Sequence, residues 1–108
     1  MIAVIFEVRP TLEGKEEYLQ TAAELRPLLE GRDGFISLER FQSLSDEGKI
    51  LSLSFWRDEE AIQSWRNLFE HRAAQKKGKE SLFRSYRIRV SNVVRDYTES
   101  NRDQAPPD

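Results

Sequence analysis

The first strand-like segment, MIAVIFEVRP, constrains the fold more than any other part of the chain. Alternate residues of a β-strand point to opposite sides of the sheet. One side of this segment is apolar throughout and carries Ile2, Val4, Phe6 and Val8. The other side begins with Ala3 and Ile5 and becomes polar only afterwards. We therefore expect a strand that ends at Pro10 and lies inside a sheet whose two faces are both covered near its start.

The rest of the chain alternates between helical and strand-like patterns. A helix is predicted from about Leu12 to Leu29, strands over Phe35–Phe41 and Ile50–Trp56, a helix capped by Asp58, and a last strand over Phe83–Tyr97. The neighbouring Val93 and Val94 interrupt the alternation of the last strand, which predicts a β-bulge near Ser91 and Asn92. The order predicts an α+β fold, a ferredoxin-like βαββαβ protomer with a four-stranded antiparallel sheet and both helices on one face.

Domain organisation follows from where the apolar pattern stops. Residues 1–97 hold all the predicted elements and are expected to form one ferredoxin-like domain. Residues 98–108 are polar and contain two prolines, so a disordered C-terminal tail is expected there.

A sheet with both helices on one face leaves its other face bare. Because the first strand is apolar on both sides, this open face cannot be wholly polar. A second copy of the chain laid against it would remove that apolar area from water. The sequence therefore predicts a homodimer formed through the open sheet face.

Composition and charge exclude several classes of partner and location. The formal net charge is -2 and no run of five like charges occurs, which argues against nucleic acid and membrane surfaces as partners. The chain has no cysteine, no signal-peptide pattern at its N-terminus and no segment near the roughly 20 apolar residues that cross a bilayer. A cytoplasmic location is expected.

Few residues are suited to catalysis. Nucleotide-binding, hydrolase and zinc-protease motifs are absent, and Ser64 stands nearly two helical turns from the single histidine, His71. One imidazole is too few for the usual zinc and non-haem iron sites, whereas haem needs only one axial histidine. We therefore expect no metal site, with haem binding left open.

His71 and Trp65 are the candidate functional pair of the second helix. Trp65 lies at the centre of that helix's apolar arc, and His71 follows six residues later, about 120° from the centre if the helix is straight. His71 is thus placed at the margin of the core, and a bend near Leu68 and Phe69 would move it inward. A tryptophan at such a position is more often core than functional, and a boundary histidine is more often a surface or capping residue.

Three stretches resemble a known family. FWRDEEAIQSWRN, EHRAAQKKGKE and FRSYRIRVSNVVRDY are similar to the antibiotic biosynthesis monooxygenase domain, a branch of the dimeric α/β barrel superfamily. The likeness spans residues 2–97 and implies that two protomers close a barrel, each with a pocket between sheet and helices. It implies oxidation of aromatic or quinol-type substrates by O2 with no metal or flavin cofactor. A related haem-degrading branch has an asparagine on the first strand, where this chain reads Phe6-Glu7-Val8-Arg9.

The resemblance gives roles to the candidate residues. His71 is expected to act as the base, with Trp65 as a catalytic wall and N–H donor, and Phe6, Phe55 and Tyr86 are expected to bind the substrate. The leading hypothesis is a cofactor-independent monooxygenase of a small aromatic or quinol-type substrate. Two alternatives stay open: a non-catalytic dimeric module that binds a hydrophobic metabolite, and a haem-binding or haem-degrading relative.

Overall fold

The computed structural model describes residues 1–76 and 83–107, and side chains within the second helix are described as far as residue 68. In these residues the chain forms the six predicted elements in the predicted order. They are β1 (Ile2–Pro10), α1 (Gly14–Glu30), β2 (Phe35–Gln42), β3 (Ile50–Trp56), α2 (Glu59–Lys76) and β4 (Phe83–Asn92). The predicted ferredoxin-like α+β fold is confirmed.

The strands form one antiparallel sheet in the order β2-β3-β1-β4. β1 lies between β3 and β4 and pairs with both. Leu29 of α1 and Ile62 of α2 join Leu38 and Trp56 of the sheet in one buried cluster. Both helices therefore pack on the same face, which we call the helix face, and leave the opposite side as the open face.

The structure shows which side of β3 faces the helices, a choice that the composition of the strand alone does not decide. Ile50, Ser52, Ser54 and Trp56 are buried, whereas Leu51, Leu53 and Phe55 are half-buried on the open face. Two small polar residues therefore lie beneath the helices while larger apolar ones point away. The small serines leave room above the centre of the sheet, and that room becomes the cavity described below.

The end of β4 corrects two predictions. The strand ends at Asn92 rather than Tyr97, and its register with β1 is continuous from Ile2↔Asn92 to Arg9↔Ser85, so the bulge predicted near Ser91 and Asn92 is wrong. The register shifts instead at Arg9/Pro10. β1 begins at Ile2, so a longer β4 has nothing to pair with beyond the bond from Val93 N–H to the Met1 carbonyl at 3.0 Å.

α2 begins as its sequence predicts. The Asp58 carboxylate accepts a hydrogen bond from the backbone N–H of Ala61 at 3.0 Å, which satisfies one of the unpaired donors of the first turn. This hydrogen bond, and then the one from Arg57, lower the pKa of Asp58 below its usual range. Glu59 and Glu60 add negative charge where the helix dipole favours it.

Among the described residues, no helix combines the length and the hydropathy needed to cross a membrane. Beyond β4 the backbone makes local turns, with hydrogen bonds from Thr98 N–H to the Asn101 carbonyl and from Ala105 N–H to the Arg102 carbonyl.

Candidate functional site

A cavity of about 730 Å³ lies between the helix face of the sheet and the two helices. This is within the range of roughly 300–1,000 Å³ that small-molecule sites occupy. Its rim is open along β4, where Tyr86, Ile88 and Val90 line the cavity but stay exposed. The two helices cover the middle of the sheet and leave this edge strand without a lid among the described residues.

The floor of the cavity consists of two rows of side chains that cross all four strands. The register places Ile88, Phe6, Ser52 and Arg40 in one row. It places Val90, Val4, Ser54 and Leu38 in the next row. All eight line the cavity, so its floor is apolar on β4 and β1, whereas β3 and β2 contribute Ser52, Ser54 and Arg40 beside the apolar Leu38.

An aromatic cluster forms the wall at one end. The ring of Phe83 contacts those of Tyr18, Phe6 and Tyr86, with centroid separations of 5.5, 6.1 and 6.0 Å. The rings of Phe6 and Tyr86 are 5.9 Å apart in a tilted arrangement, whereas the three pairs that Phe83 makes have the edge-to-face geometry that aromatic rings favour. The cluster gives this end of the cavity a firm apolar surface.

Trp65 lines the cavity from α2 and also packs against the buried cluster of Leu29, Leu38, Trp56 and Ile62. The Arg32 guanidinium lies 5.7 Å from the centre of its ring, a cation–π arrangement that fixes the ring from outside. Trp65 is therefore both a packing residue of the core and a lining residue of the cavity.

The structure brings together three of the five candidate site residues. Phe6, Tyr86 and Trp65 line the same cavity, although Tyr86 is 62% exposed. Phe55 does not line it, because Phe55 follows Ser54 and precedes Trp56 on β3 and so points to the open face. The substrate-binding role expected for Phe55 is therefore not supported by its position. His71 belongs to α2, but its side chain lies outside the described residues.

The polar side chains of the cavity were not among the candidates. Ser54 Oγ accepts a hydrogen bond from the indole N–H of Trp56 at 2.9 Å. Arg26 donates to the Leu38 carbonyl at 3.1 Å and to Glu30. The sequence does hold a signal for Arg40 and Ser52: the first stands two residues after apolar Leu38, and the second stands between Ile50 and Ser54 on one side of β3.

The carboxyl groups with lowered pKa lie away from the cavity. Hydrogen bonds from Arg57 lower the pKa of Asp33, and the backbone N–H of Gly48 lowers that of Asp46. Neither aspartate lines the cavity, so neither is placed to act as a base there. Among the side chains that the structure describes, those of residues 1–68 and 83–107, there is also no group of three histidine, cysteine or carboxylate residues placed to hold a metal ion.

Comparison with known proteins identifies similar chains. A family model described as antibiotic biosynthesis monooxygenase matches residues 1–77. The chain is 48% identical over 94 residues to a protein named jasmonate monooxygenase ABM from Pyricularia oryzae, a match that covers 87% of this chain. It covers only 44% of that relative, so the chain spans less than half of the relative's length.

Solved structures share the fold at low sequence identity. A crystal structure from Deinococcus radiodurans, titled a putative antibiotic biosynthesis monooxygenase, superposes with a TM-score of 0.74 at 13% identity, covering 91% of this chain and 97% of that one. A crystal structure of an MhuD mutant with two manganese protoporphyrin IX molecules per active site gives a TM-score of 0.67 at 18% identity, covering 91% and 99%. At these identities the likeness concerns the fold alone.

Proposed function

Because the chain belongs to the antibiotic biosynthesis monooxygenase family, we propose that it is an oxygenase that acts on a small hydrophobic substrate held in the cavity. The observation that carries this proposal is an apolar cavity of small-molecule size, lined by Phe6, Tyr86 and Trp65. We further propose that the substrate is aromatic, quinol-type or otherwise able to form a stabilised carbanion or enolate, and that no metal or flavin takes part.

Such a substrate supplies the electrons for its own oxidation. Removal of a proton from an activated CH2 group gives an anion, which passes one electron to O2. The radical and superoxide combine into a peroxide, which takes up a proton and loses water to leave a ketone. The balance is R2CH2 + O2 → R2CO + H2O, so no outside reductant is needed. The protein must provide a base and a site that excludes water from the anion.

In this proposal His71 is the base, because the ordinary pKa of an imidazole lies near neutrality and none of the described residues that line the cavity is an aspartate, glutamate, histidine or lysine. Trp65 forms the wall against which the substrate lies. Phe6 and Tyr86 supply aromatic surface from the sheet. Phe55 has no part in the proposal.

Oxygen uptake tests the function. Purified protein is incubated with anthrones, hydroquinones and jasmonate, and O2 consumption and products are followed. We expect uptake with at least one substrate, about a hundredfold lower kcat in His71→Ala because a positioned base contributes roughly 10²–10⁴ in rate, and a higher KM in Trp65→Phe. Tyr97→Phe, an aromatic change on a residue that does not line the cavity, serves as the matched control.

Two results would contradict the mechanism: no O2 uptake across the panel, or turnover unchanged in both variants. The absence of a carboxylate or lysine among the described lining residues favours one other function, a module that binds a hydrophobic metabolite without converting it. That function predicts a rise in Tm on ligand addition without O2 uptake. Titration with haemin, read at the Soret band, distinguishes the cofactor-independent oxygenase and the non-catalytic binding module from a haem-dependent protein.

We also propose that the chain forms a homodimer through its open face. The centre of that face is apolar, with cross-strand pairs Ile5↔Leu53 and Ala3↔Phe55. Its border is charged, because Glu7 pairs with Lys49 Nζ at 3.5 Å and with Arg89 Nη1 at 3.6 Å. An apolar centre with a polar border is the usual anatomy of a protein–protein interface.

Mass in solution tests the dimer. We expect light scattering at micromolar concentration to give twice the protomer mass of 12.7 kDa, and Leu53→Glu to give the protomer mass, because the new carboxylate is buried without a partner. Leu44→Glu makes the same kind of change on a fully exposed side chain and should remain dimeric. A monomeric wild-type protein would refute this interface.

Two further features stay predictions from the sequence. One is that a single domain occupies residues 1–97, beyond the end of the family match at residue 77. The other is a cytoplasmic location.

A further inference from the structure

Arg40 is the charged residue among the eight that form the floor of the cavity, and the other seven are apolar residues or serines. It lies on the helix face of β2, opposite Ser52 of β3, and is half-buried. Both residues line the cavity. A guanidinium group stays charged at all physiological pH values, so Arg40 brings a permanent positive charge to the cavity floor.

The described contacts of Arg40 include no counter-ion for this charge. Its Nε donates a long hydrogen bond of 3.5 Å to Tyr18 Oη, and its guanidinium carbon lies 5.8 Å from the centre of the Tyr18 ring. No carboxylate among the described side chains, those of residues 1–68 and 83–107, forms an ion pair with it. A partly buried cation without an anion costs free energy, and a bound anion would offset that cost.

Two hydroxyl groups stand beside Arg40. Ser52 is 7% exposed and Tyr18 is 2% exposed, and both line the cavity. Because Tyr18 Oη accepts from Arg40, its own O–H is left to donate. The guanidinium and the two hydroxyls therefore form a corner rich in donors, which is the composition that an anion requires.

The other arginines of the cavity are less suited to this role. Arg26 already donates to the Leu38 carbonyl and to Glu30. Arg66 of α2 and Arg84 of β4 are exposed at the rim, where water screens their charge. Arg40 is the one that combines a place on the floor, partial burial and neighbouring donors.

The row of side chains across the sheet gives the ligand a direction. From β4 to β2 the row reads Ile88, Phe6, Ser52 and Arg40. Adjacent strands are about 4.8 Å apart, so the row is about 14 Å long from Ile88 to Arg40. A molecule with an apolar body over Ile88 and Phe6 and an anionic group roughly 10 Å away would match both ends.

We propose that the cavity selects substrates that carry a carboxylate on a short chain attached to an apolar ring, and that Arg40 binds this carboxylate with help from Ser52 and Tyr18. A planar carboxylate fits the two parallel donors of a guanidinium. This inference rests on the proposed function because it takes the cavity to be the substrate site. It adds the chemical class of the substrate and the residue that selects it.

Binding of a matched acid and ester tests the assignment without requiring turnover. Dissociation constants of 4-phenylbutanoate and of its methyl ester are measured by calorimetry. We expect wild-type protein to bind the acid roughly 10- to 100-fold tighter than the ester, the range that a charged hydrogen bond provides. In Arg40→Gln the acid-to-ester ratio should fall to near one, because the charge that favours the acid is gone.

Three further variants sharpen the test. Arg95→Gln makes the same change on an exposed residue outside the cavity and should keep the wild-type ratio. Arg40→Lys keeps the charge but loses the paired donors and should give an intermediate ratio, and it replaces Arg40→Gln as the deciding variant if the latter does not fold. Ser52→Ala should lower acid affinity by about threefold.

Either of two outcomes overturns the inference. One is a wild-type protein that binds acid and ester equally or binds neither, and the other is an Arg40 variant that keeps the wild-type ratio. Failure of this inference and failure of the proposed function give different results. If only the proposed function fails, Arg40→Gln still removes the preference for the acid, but no substrate consumes O2. If only this inference fails, O2 uptake persists and Arg40→Gln leaves the acid-to-ester ratio unchanged.

Discussion

Replacement of Gly34 by alanine should destabilise the protein by about 3 kcal/mol, combining roughly 1–2 kcal/mol for a left-handed backbone with roughly 1–3 kcal/mol for overpacking. Gly34 has φ +86°, a conformation that residues with a side chain rarely adopt. A Cβ at this position would lie 2.7 Å from Ala61 Cβ. Ala61 belongs to the first turn of α2, so relief requires a shift of the helix itself.

The surroundings of Gly34 resist such a shift. Its carbonyl accepts a hydrogen bond from the Arg57 N–H at 2.7 Å. The Arg57 guanidinium forms two parallel hydrogen bonds to Asp33, at 2.9 and 3.0 Å. The turn before β2 is thus tied to the segment that leads into α2, and one added methyl group disturbs both.

Chemical denaturation of the wild-type protein and of four variants, Gly34→Ala, Gly31→Ala, Ala61→Gly and the double variant below, measures the effect. Gly31→Ala is the matched control, because its φ is -89° and nothing lies within 4 Å of its added Cβ, so a change within about 0.5 kcal/mol is expected. The double variant Gly34→Ala with Ala61→Gly removes the contact and should recover part of the loss beyond additivity with the two single variants. Equal stability of Gly34→Ala and Gly31→Ala would show that neither the backbone conformation nor the contact matters.

Replacement of Trp56 by alanine should cost about 3–5 kcal/mol, a large share of the roughly 5–15 kcal/mol by which domains of this kind are stable. Trp56 is 1% exposed and belongs to the buried cluster with Leu29, Leu38 and Ile62. The ring of Phe35 packs edge-on against it at 5.3 Å. Removing the indole leaves a hole where α1, α2 and the sheet meet, which packed neighbours fill only in part.

Thermal unfolding provides the measurement, with a fall in Tm of roughly 15–30 °C expected for a domain of this size. Trp56→Phe keeps an aromatic ring but loses the N–H donor to Ser54, so a smaller loss of about 1–3 kcal/mol is expected. Tyr97→Ala truncates an aromatic residue that is 43% exposed and should change stability by less than about 1 kcal/mol. If Trp56→Ala were no more damaging than Tyr97→Ala, the assignment of the core would be wrong.

The fold was predictable because it depends on local periodicity. The alternation in β1, the apolar stripe of α1 and the acidic start of α2 each specify an element within a few residues. The predicted end of β4 was wrong because β4 runs antiparallel to β1 and stops pairing where β1 begins, at Ile2. The alternation of Val90 with later residues carries no information about that position.

The candidate site was predictable in part. Phe6, Tyr86 and Trp65 line the cavity because large aromatic side chains at core-facing positions border the space between the sheet and the helices, and their roles in binding or catalysis stay predictions. Phe55 faces the open side of the sheet, whereas its neighbour Trp56 faces the helices, so the position of Phe55 lends no support to its predicted binding role. Arg40 and Ser52 were missed because a charged or small polar residue in a strand normally indicates a solvent-facing position.

The sequence by itself determined the order of the elements, the two apolar sides of β1 and the presence of a bare sheet face. Each of these follows from patterns within a single segment or from the count and order of segments. Only the tertiary structure decided which side of β3 faces the helices and that Ile88, Phe6, Ser52 and Arg40 form one row. Cross-strand register joins residues from four separate segments, and it is fixed by how their side chains pack together against the helices rather than by any one of them.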